Sequence, residues 1–129
     1  MTVLTHATRQ KADRKIELRV ECRPHFLRVA IRGEASFDQA EVLSAQLLRV
    51  PLGGARLVVL DLAGLTFLSS LAMGALVSYR RGVGRRGVEV RLANVQARVW
   101  SALESAGLGK WFERIDLEGP TPPAASAAP

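Results

Sequence analysis

One cysteine, Cys22, and two histidines, His6 and His25, are all that 129 residues offer in thiol and imidazole chemistry. A lone thiol excludes an intrachain disulfide and a cysteine-based metal centre, fits a reducing cytoplasm, and reads as a small strand residue within Ile16–Cys22. Neither histidine has Cys, Asp or Glu nearby at ligand spacing, so no metal site is expected. Nor is either placed where a serine nucleophile would draw its base, which argues against a hydrolase. No apolar run approaches the ~20 residues of a membrane span. The opening MTVLTHATRQ lacks the apolar centre of a secretory signal. A cytoplasmic chain without membrane insertion is expected. Aromatic residues make up only 5% of the chain, and none interleaves with the cluster Arg80, Arg81, Arg85 and Arg86. Single-strand nucleic-acid binders need such aromatic platforms, so nucleic acid is not the expected partner despite a formal charge of +6.

What is present suits one domain. With 48% hydrophobic and 23% charged residues, the length supports a single core and is too short for two. Residues 1–15 form a basic arm, where Arg9, Lys11, Arg14 and Lys15 against Asp13 account for half of the net charge. Residues 118–129, with GPTPPAASAAP and almost no charge, read as a disordered Pro/Ala-rich tail. The domain between them spans 16–117. Arg80, Arg81, Arg85 and Arg86 cluster in the last turns of an expected helix, where cations complement the helix dipole. An acidic protein partner is the better use of the remaining charge.

Periodicity supplies the element order. Residues 16–21 alternate apolar and charged side chains, and a second strand, 26–32, follows the turn Arg23-Pro24-His25. Ser36 with Gln39 three residues later has the form of a capping box, opening a helix with Ala40, Leu43, Leu47 and Val50 on one face. Leu57–Leu60 is a continuous apolar run, the pattern of a strand covered on both faces. Residues 88–93 form another strand, and an Asn94-capped helix carrying Val99, Ala102, Leu103 and Ala106 closes at Gly107. Residues 110–117 add a last short strand. The expected fold is α/β: helices packed on a mixed, mostly parallel sheet with the first strand antiparallel at its edge. Gly82-Val-Gly84-Arg-Arg-Gly87 matches G-x-G-x-x-G in letters only, since it ends a helix and leads into a strand; no cofactor is implied.

The richest segment runs from Leu57 to Leu76, LVVLDLAGLTFLSSLAMGAL. A buried strand ends at Asp61, a connector LAGLTFL follows, and Ser69-Ser70 precede an apolar helical pattern. Serine there is a preferred N-cap, and an anion at a helix N-terminus is stabilised. A serine pair in this position is open to two readings, a cap alone or a functional hydroxyl. No Glu or Gln stands three residues after either serine, so N–H groups remain open to a phosphate.

The order Asp-Leu-x-Gly-x-Thr-Phe-Leu-Ser-Ser-Leu-Ala-Met-Gly-Ala-Leu, from Asp61 to Leu76, resembles the signature of STAS domains, the family of bacterial anti-sigma factor antagonists. The similarity extends roughly from Ile16 to Ile115 and takes in Gly33-Glu34 and Ala106-Gly107-Leu108. Ser69 stands where the family usually has Asp, Leu71 where it often has Ser or Thr, Ala72 where it has Gly, and Ser36 where it commonly has Asp, with Asp38 able to supply that charge. The resemblance implies a binding switch in transcription regulation. On that resemblance Ser70 is the expected phosphorylation site, with Ser69 the second choice, and Glu34, Ser36, Asp38, Ser69, Ser70, Leu71 and Met73 are expected to form the partner surface. The implied partners are an anti-sigma factor that is also a serine kinase, and a serine phosphatase. A second reading is a constitutive STAS docking subunit of a signalling scaffold or transporter complex, with Ser70 only a helix cap.

Overall fold

The computed structural model describes residues 15–116, so the basic arm, except Lys15, and the tail at 118–129 lie outside the described residues. Six strands and three helices alternate: β1 (Glu17–Cys22), β2 (Leu27–Ala35), α1 (Ala40–Arg49), β3 (Leu57–Asp61), β4 (Leu65–Leu68), α2 (Ser70–Gly84), β5 (Glu89–Ala93), α3 (Ala97–Ser105) and β6 (Glu113–Ile115). The sheet runs β1-β2-β3-β5-β6, with β4 added beside β2. Only β1 is antiparallel to its neighbour; every other pairing is parallel. The fold is therefore the expected single α/β domain.

Strand order decides where the helices lie. From β2 through β3 and β5 to β6 the chain moves steadily across the sheet, and right-handed crossovers then put α1, α2 and α3 on one face. That face holds the core: Val29, Ile31, Val58, Leu60, Val90 and Leu92 from the strands, with Leu43, Leu47, Leu76, Val99 and Leu103 from the helices. Each such side chain contributes about 1.5–3 kcal/mol by leaving water.

Leu57–Leu60 is covered on both faces, as its apolar run indicates, with Val58, Val59 and Leu60 all buried. On the face away from the helical core the cover comes from the side chains of neighbouring strands. Val59 is 1% exposed there because it sits in register between Arg28 on β2 and Arg91 on β5, whose long side chains shield it. Charge pairs border it: Arg28 with Glu21 at 3.2 Å, Arg91 with Glu89 at 3.0 Å and with Glu113 at 3.5 Å.

The connector LAGLTFL also hides a strand. β2 is nine residues long and divides them between two partners: Leu27–Ala30 pair with β3, and Gly33–Ala35 pair with β4 after a register shift at Gly33/Glu34. Gly33 makes the shift at φ 113°, a backbone region side chains rarely allow. Gly64 lets the next turn approach β2: its carbonyl accepts from Gly33 N–H at 3.0 Å, and a Cβ on Gly64 would stand 2.9 Å from Arg32 Cβ.

Two expected caps are absent. Ser36 makes no cap bond, because its Oγ donates to Asp38 Oδ1 at 2.6 Å while Gln39 Oε1 accepts from the distant Ile16 N–H at 3.1 Å. Asn94 does not cap α3 either; the N-cap is Gln96, and Asn94 takes a left-handed turn (φ 56°) with its amide directed to Asp61. Gly107 closes α3 as expected, with Leu108 N–H donating to Leu103 O at 2.9 Å.

Candidate functional site

The C-terminal edge of the sheet gathers the ends of β2, β3, β4 and β5, and Asp61 ties them together. Arg28 donates through Nε at 3.0 Å and through Nη2 to Asp61 Oδ2; Ala63 N–H and Asn94 Nδ2 donate to Oδ1 at 3.0 and 3.1 Å. Asp61 is 3% exposed, and burying a carboxylate is tolerable only with such a full set of donors. Gln96 Nε2 donates to Ala63 O at 2.8 Å, so the β3–β4 turn is held from both sides. Nothing in local sequence marks Arg28 and Asn94 for this, since each lies 33 residues from Asp61.

From that anchored turn β4 runs alongside the bent end of β2, burying Leu65 and Leu68 and leaving Thr66 and Phe67 outside. Ser69 N–H then donates to Ala35 O at 2.8 Å, which fixes the start of α2 against β2. The two serines divide the possible roles between them. Ser69 is the N-cap: its Oγ accepts from Ala72 N–H at 3.2 Å, and its carbonyl accepts from Met73 N–H at 2.9 Å. It is 4% exposed. Ser70 is the first helical residue and is exposed. The reading of Ser70 as a helix cap is therefore corrected; a cap needs extended backbone before the helix, which Ser69 supplies at φ −75°, ψ 164°. Helix geometry leaves the Ser70 and Leu71 N–H groups without an intrahelical acceptor, and no acidic residue stands in the first turn.

Facing this helix start is the 3-10 turn Phe37–Gln39, which follows β2 directly and packs against α2. Glu34 is half-buried on β2, Ser36 half-buried before the turn, and Asp38 exposed within it. The Ser36 hydroxyl bonded to Asp38 holds that carboxyl below its ordinary value, with its own backbone N–H assisting. The edge thus brings together Glu34, Ser36, Asp38, Ser70 and Leu71. Two residues of the expected surface point inward instead: Ser69 is spent on the cap, and Met73 is 6% exposed because it lies one turn along the core-facing side of α2.

Sequence reasoning named Leu71 on this surface but missed the two phenylalanines beside it. Phe37 is 66% exposed, Leu71 54% and Phe67 49%, three of the six large hydrophobic residues left exposed among the described residues. A signal was present for Phe37, which falls outside the apolar face Ala40, Leu43, Leu47; Phe67, two residues after the buried Leu65, gave none. Chemically the edge offers an accessible primary hydroxyl, two unpaired N–H groups beside it, and an apolar rim with one fixed carboxylate. The one histidine among the described residues, His25, lies in the β1–β2 turn at the opposite end of the sheet, so among those residues no imidazole stands beside Ser70.

The model of the STAS domain family matches residues 17–119. Among solved structures the fold is similar to an anti-sigma factor antagonist from Mycobacterium paratuberculosis, with 20% identity, 87% of this chain and 91% of that chain covered, and a TM-score of 0.69. It is similar to the Bacillus cell fate determinant SpoIIAA in its phosphorylated form, with 18% identity, coverage of 78% and 89%, and a TM-score of 0.55. It is also similar to murine Solute Carrier 26 family member A9, an anion transporter, with 14% identity and a TM-score of 0.66, covering 84% of this chain but only 21% of the transporter. No curated protein sequence matches the chain significantly. Among the described residues no helix is long and apolar enough to cross a membrane.

Proposed function

The chain belongs to the STAS domain family, and from that premise we propose that it is an anti-sigma factor antagonist working as a protein-binding phosphoswitch without catalysis of its own. With Ser70 unmodified, the edge formed by Glu34–Asp38 and the start of α2 captures an anti-sigma factor that is also a serine kinase. Transfer of a phosphoryl group to Ser70 ends the capture, and a serine phosphatase restores it. One observation carries this reading: the Ser70 hydroxyl is exposed at the first position of a helix whose cap is another residue, inside a rim of exposed Phe37, Phe67 and Leu71. Phosphate there adds about −1.5 to −2 charges. The free Ser70 and Leu71 N–H groups and the helix dipole make that charge tolerable within the domain. In an apolar interface beside the Asp38 carboxylate it is repelled and costly to desolvate. No refolding is required. The likeness in fold to an anti-sigma factor antagonist, and to a SpoIIAA solved in its phosphorylated form, supports the same reading.

The likeness to an anion transporter favours a second reading, a constitutive STAS docking subunit of a scaffold or transporter complex in which Ser70 is merely exposed. Affinity capture from the native cell with intact-mass analysis of the recovered protein separates the two. The switch expects a mixture differing by one phosphate at Ser70 and an anti-sigma factor in the capture. It also expects Ser70→Ala to bind as wild type and Ser70→Asp to bind at least about tenfold more weakly with an unchanged melting temperature. A Ser70→Asp variant, and enzymatically phosphorylated protein, that both bind like wild type would overturn it.

A further inference from the structure

The opposite end of α2 carries a second concave surface. A cleft of about 620 Å³ is lined by Arg80, Arg81 and Arg85 from the last turns of α2, by Glu89 of β5, and by Trp111 and Glu113 at the start of β6. Among the described residues Arg80, Arg81 and Arg85 have no carboxylate partner, whereas both acidic residues of the wall are already paired with Arg91, at 3.0 and 3.5 Å. Arg80 lies 5.6 Å from the centroid of the Trp111 ring, and Trp111 remains 37% exposed. Arg86 adds a further exposed guanidinium just beyond the cleft. One or two cations are enough to satisfy a helix C-terminus. Three converging on one concavity, with their local acids neutralised elsewhere and an indole at the rim, make a receptor for negative charge.

We propose that this cleft docks an acidic segment of a protein partner, separate from whatever the Ser70 edge binds. Three observations favour a peptide. Guanidinium forks match carboxylates two bonds at a time. The indole offers an apolar patch beside the charge, as a peptide's mixed side chains require and a flat anionic bilayer does not. A single aromatic residue gives no succession of stacking platforms for a nucleic-acid strand. The site is also electrically separate from Ser70: eleven helical residues part Ser70 from Arg81, about 16 Å at 1.5 Å per residue, beyond the ~8 Å Debye length at physiological ionic strength. Docking in the cleft is therefore insensitive to charge at Ser70, so the domain can hold an acidic partner at one end whatever the state of the other.

The test is fluorescence anisotropy with a labelled Glu-rich dodecapeptide on the full chain. Binding is expected to weaken at least tenfold in Arg81→Glu/Arg85→Glu, to weaken several-fold in Trp111→Ala, to weaken steeply from 50 to 300 mM salt, and to change less than twofold in Ser70→Asp. A peptide with Gln in place of Glu should not bind. Arg19→Glu/Arg98→Glu makes the same change in net charge at exposed positions on β1 and α3; an equal loss there would reduce the effect to overall charge and overturn the proposal. So would tighter binding of a labelled single-stranded oligonucleotide or of phosphatidylserine vesicles than of the peptide, or unchanged peptide binding in the Arg81/Arg85 variant. Failure here leaves the Ser70 reading standing, because that reading is tested by capture at the other end of α2.

Discussion

The underside of the Ser70 edge and its outer surface are built from adjacent residues with opposite economies. Beneath, Asp61, Arg28 and Ser69 are buried and, with the half-buried Asn94, are tied into hydrogen bonds with one another or with the backbone. Outside, Ser70, Phe37, Phe67 and Leu71 are exposed, and Ser70 has a cap residue beside it that relieves it of structural duty. Neighbouring serines can therefore be selected for different things. Stability should respond to one set and partner binding to the other.

Asp61→Ala should break that separation most severely. It removes the acceptor of four donors and takes from the buried Arg28 its buried carboxylate partner; a loss of about 3 kcal/mol in chemical denaturation is expected, the low end for a broken buried pair because Arg28 keeps its pairing with Glu21. Asp61→Asn keeps the acceptor for Ala63 and Asn94 and should fall between this variant and wild type. Phe67→Ala, on the outer surface, is expected to cost roughly tenfold in affinity for the captured partner, about 1.4 kcal/mol, with stability within about 0.5 kcal/mol of wild type. Titration calorimetry together with thermal melts checks both halves of that statement. Ser69→Ala should reverse the signs, losing about 1 kcal/mol of stability with the cap while Ser70 remains phosphorylatable. Ser69→Asp, also a good cap, should restore the melt.

The smallest effect is expected far from the edge. Tyr79 is 5% exposed, its hydroxyl finds no partner among the described residues, and burial raises its pKa, opposed in part by Arg86. Because the folded value lies above the unfolded one near 10, Tyr79 contributes nothing that titrates at neutral pH. Stability is lost as pH rises from about 10 through the folded value, where the unfolded chain ionises first. Tyr79→Phe should lie within about 0.5 kcal/mol of wild type at pH 7 and should unfold at a higher pH in an alkaline titration. An unchanged alkaline midpoint would remove Tyr79 from that transition.

Legibility in the sequence followed the range of the interactions. The alternation in β1, the apolar face of α1, the Ser-opened α2 and the glycine exits are local patterns, and each element stands where they indicate. What escaped depends on partners far along the chain. The capping box at Ser36 fails because Gln39 is claimed by Ile16, 23 residues away, and Asn94 abandons its helix for Asp61. β4 is four residues long and exists as a strand only because β2 bends to meet it at Gly33 and Gly64. Val59 looks like a two-sided core residue because arginine stems, polar in sequence, supply apolar cover. At the site, the serine pair at the start of a helix was legible; that Ser69 alone is the cap, that Met73 faces the core, and that two phenylalanines stand exposed beside Leu71 all required the tertiary fold.

The division of β2 between two partners has a mechanical consequence. Its first half is stitched into the central sheet and its second half carries β4 and, through Ala35, the start of the Ser70 helix. A docked partner pulling on this edge loads a continuous backbone lengthwise, sharing the force among many hydrogen bonds at once instead of peeling them singly. The platform is consequently stiff before anything arrives, and an incoming protein spends little of its binding free energy on ordering the surface it meets.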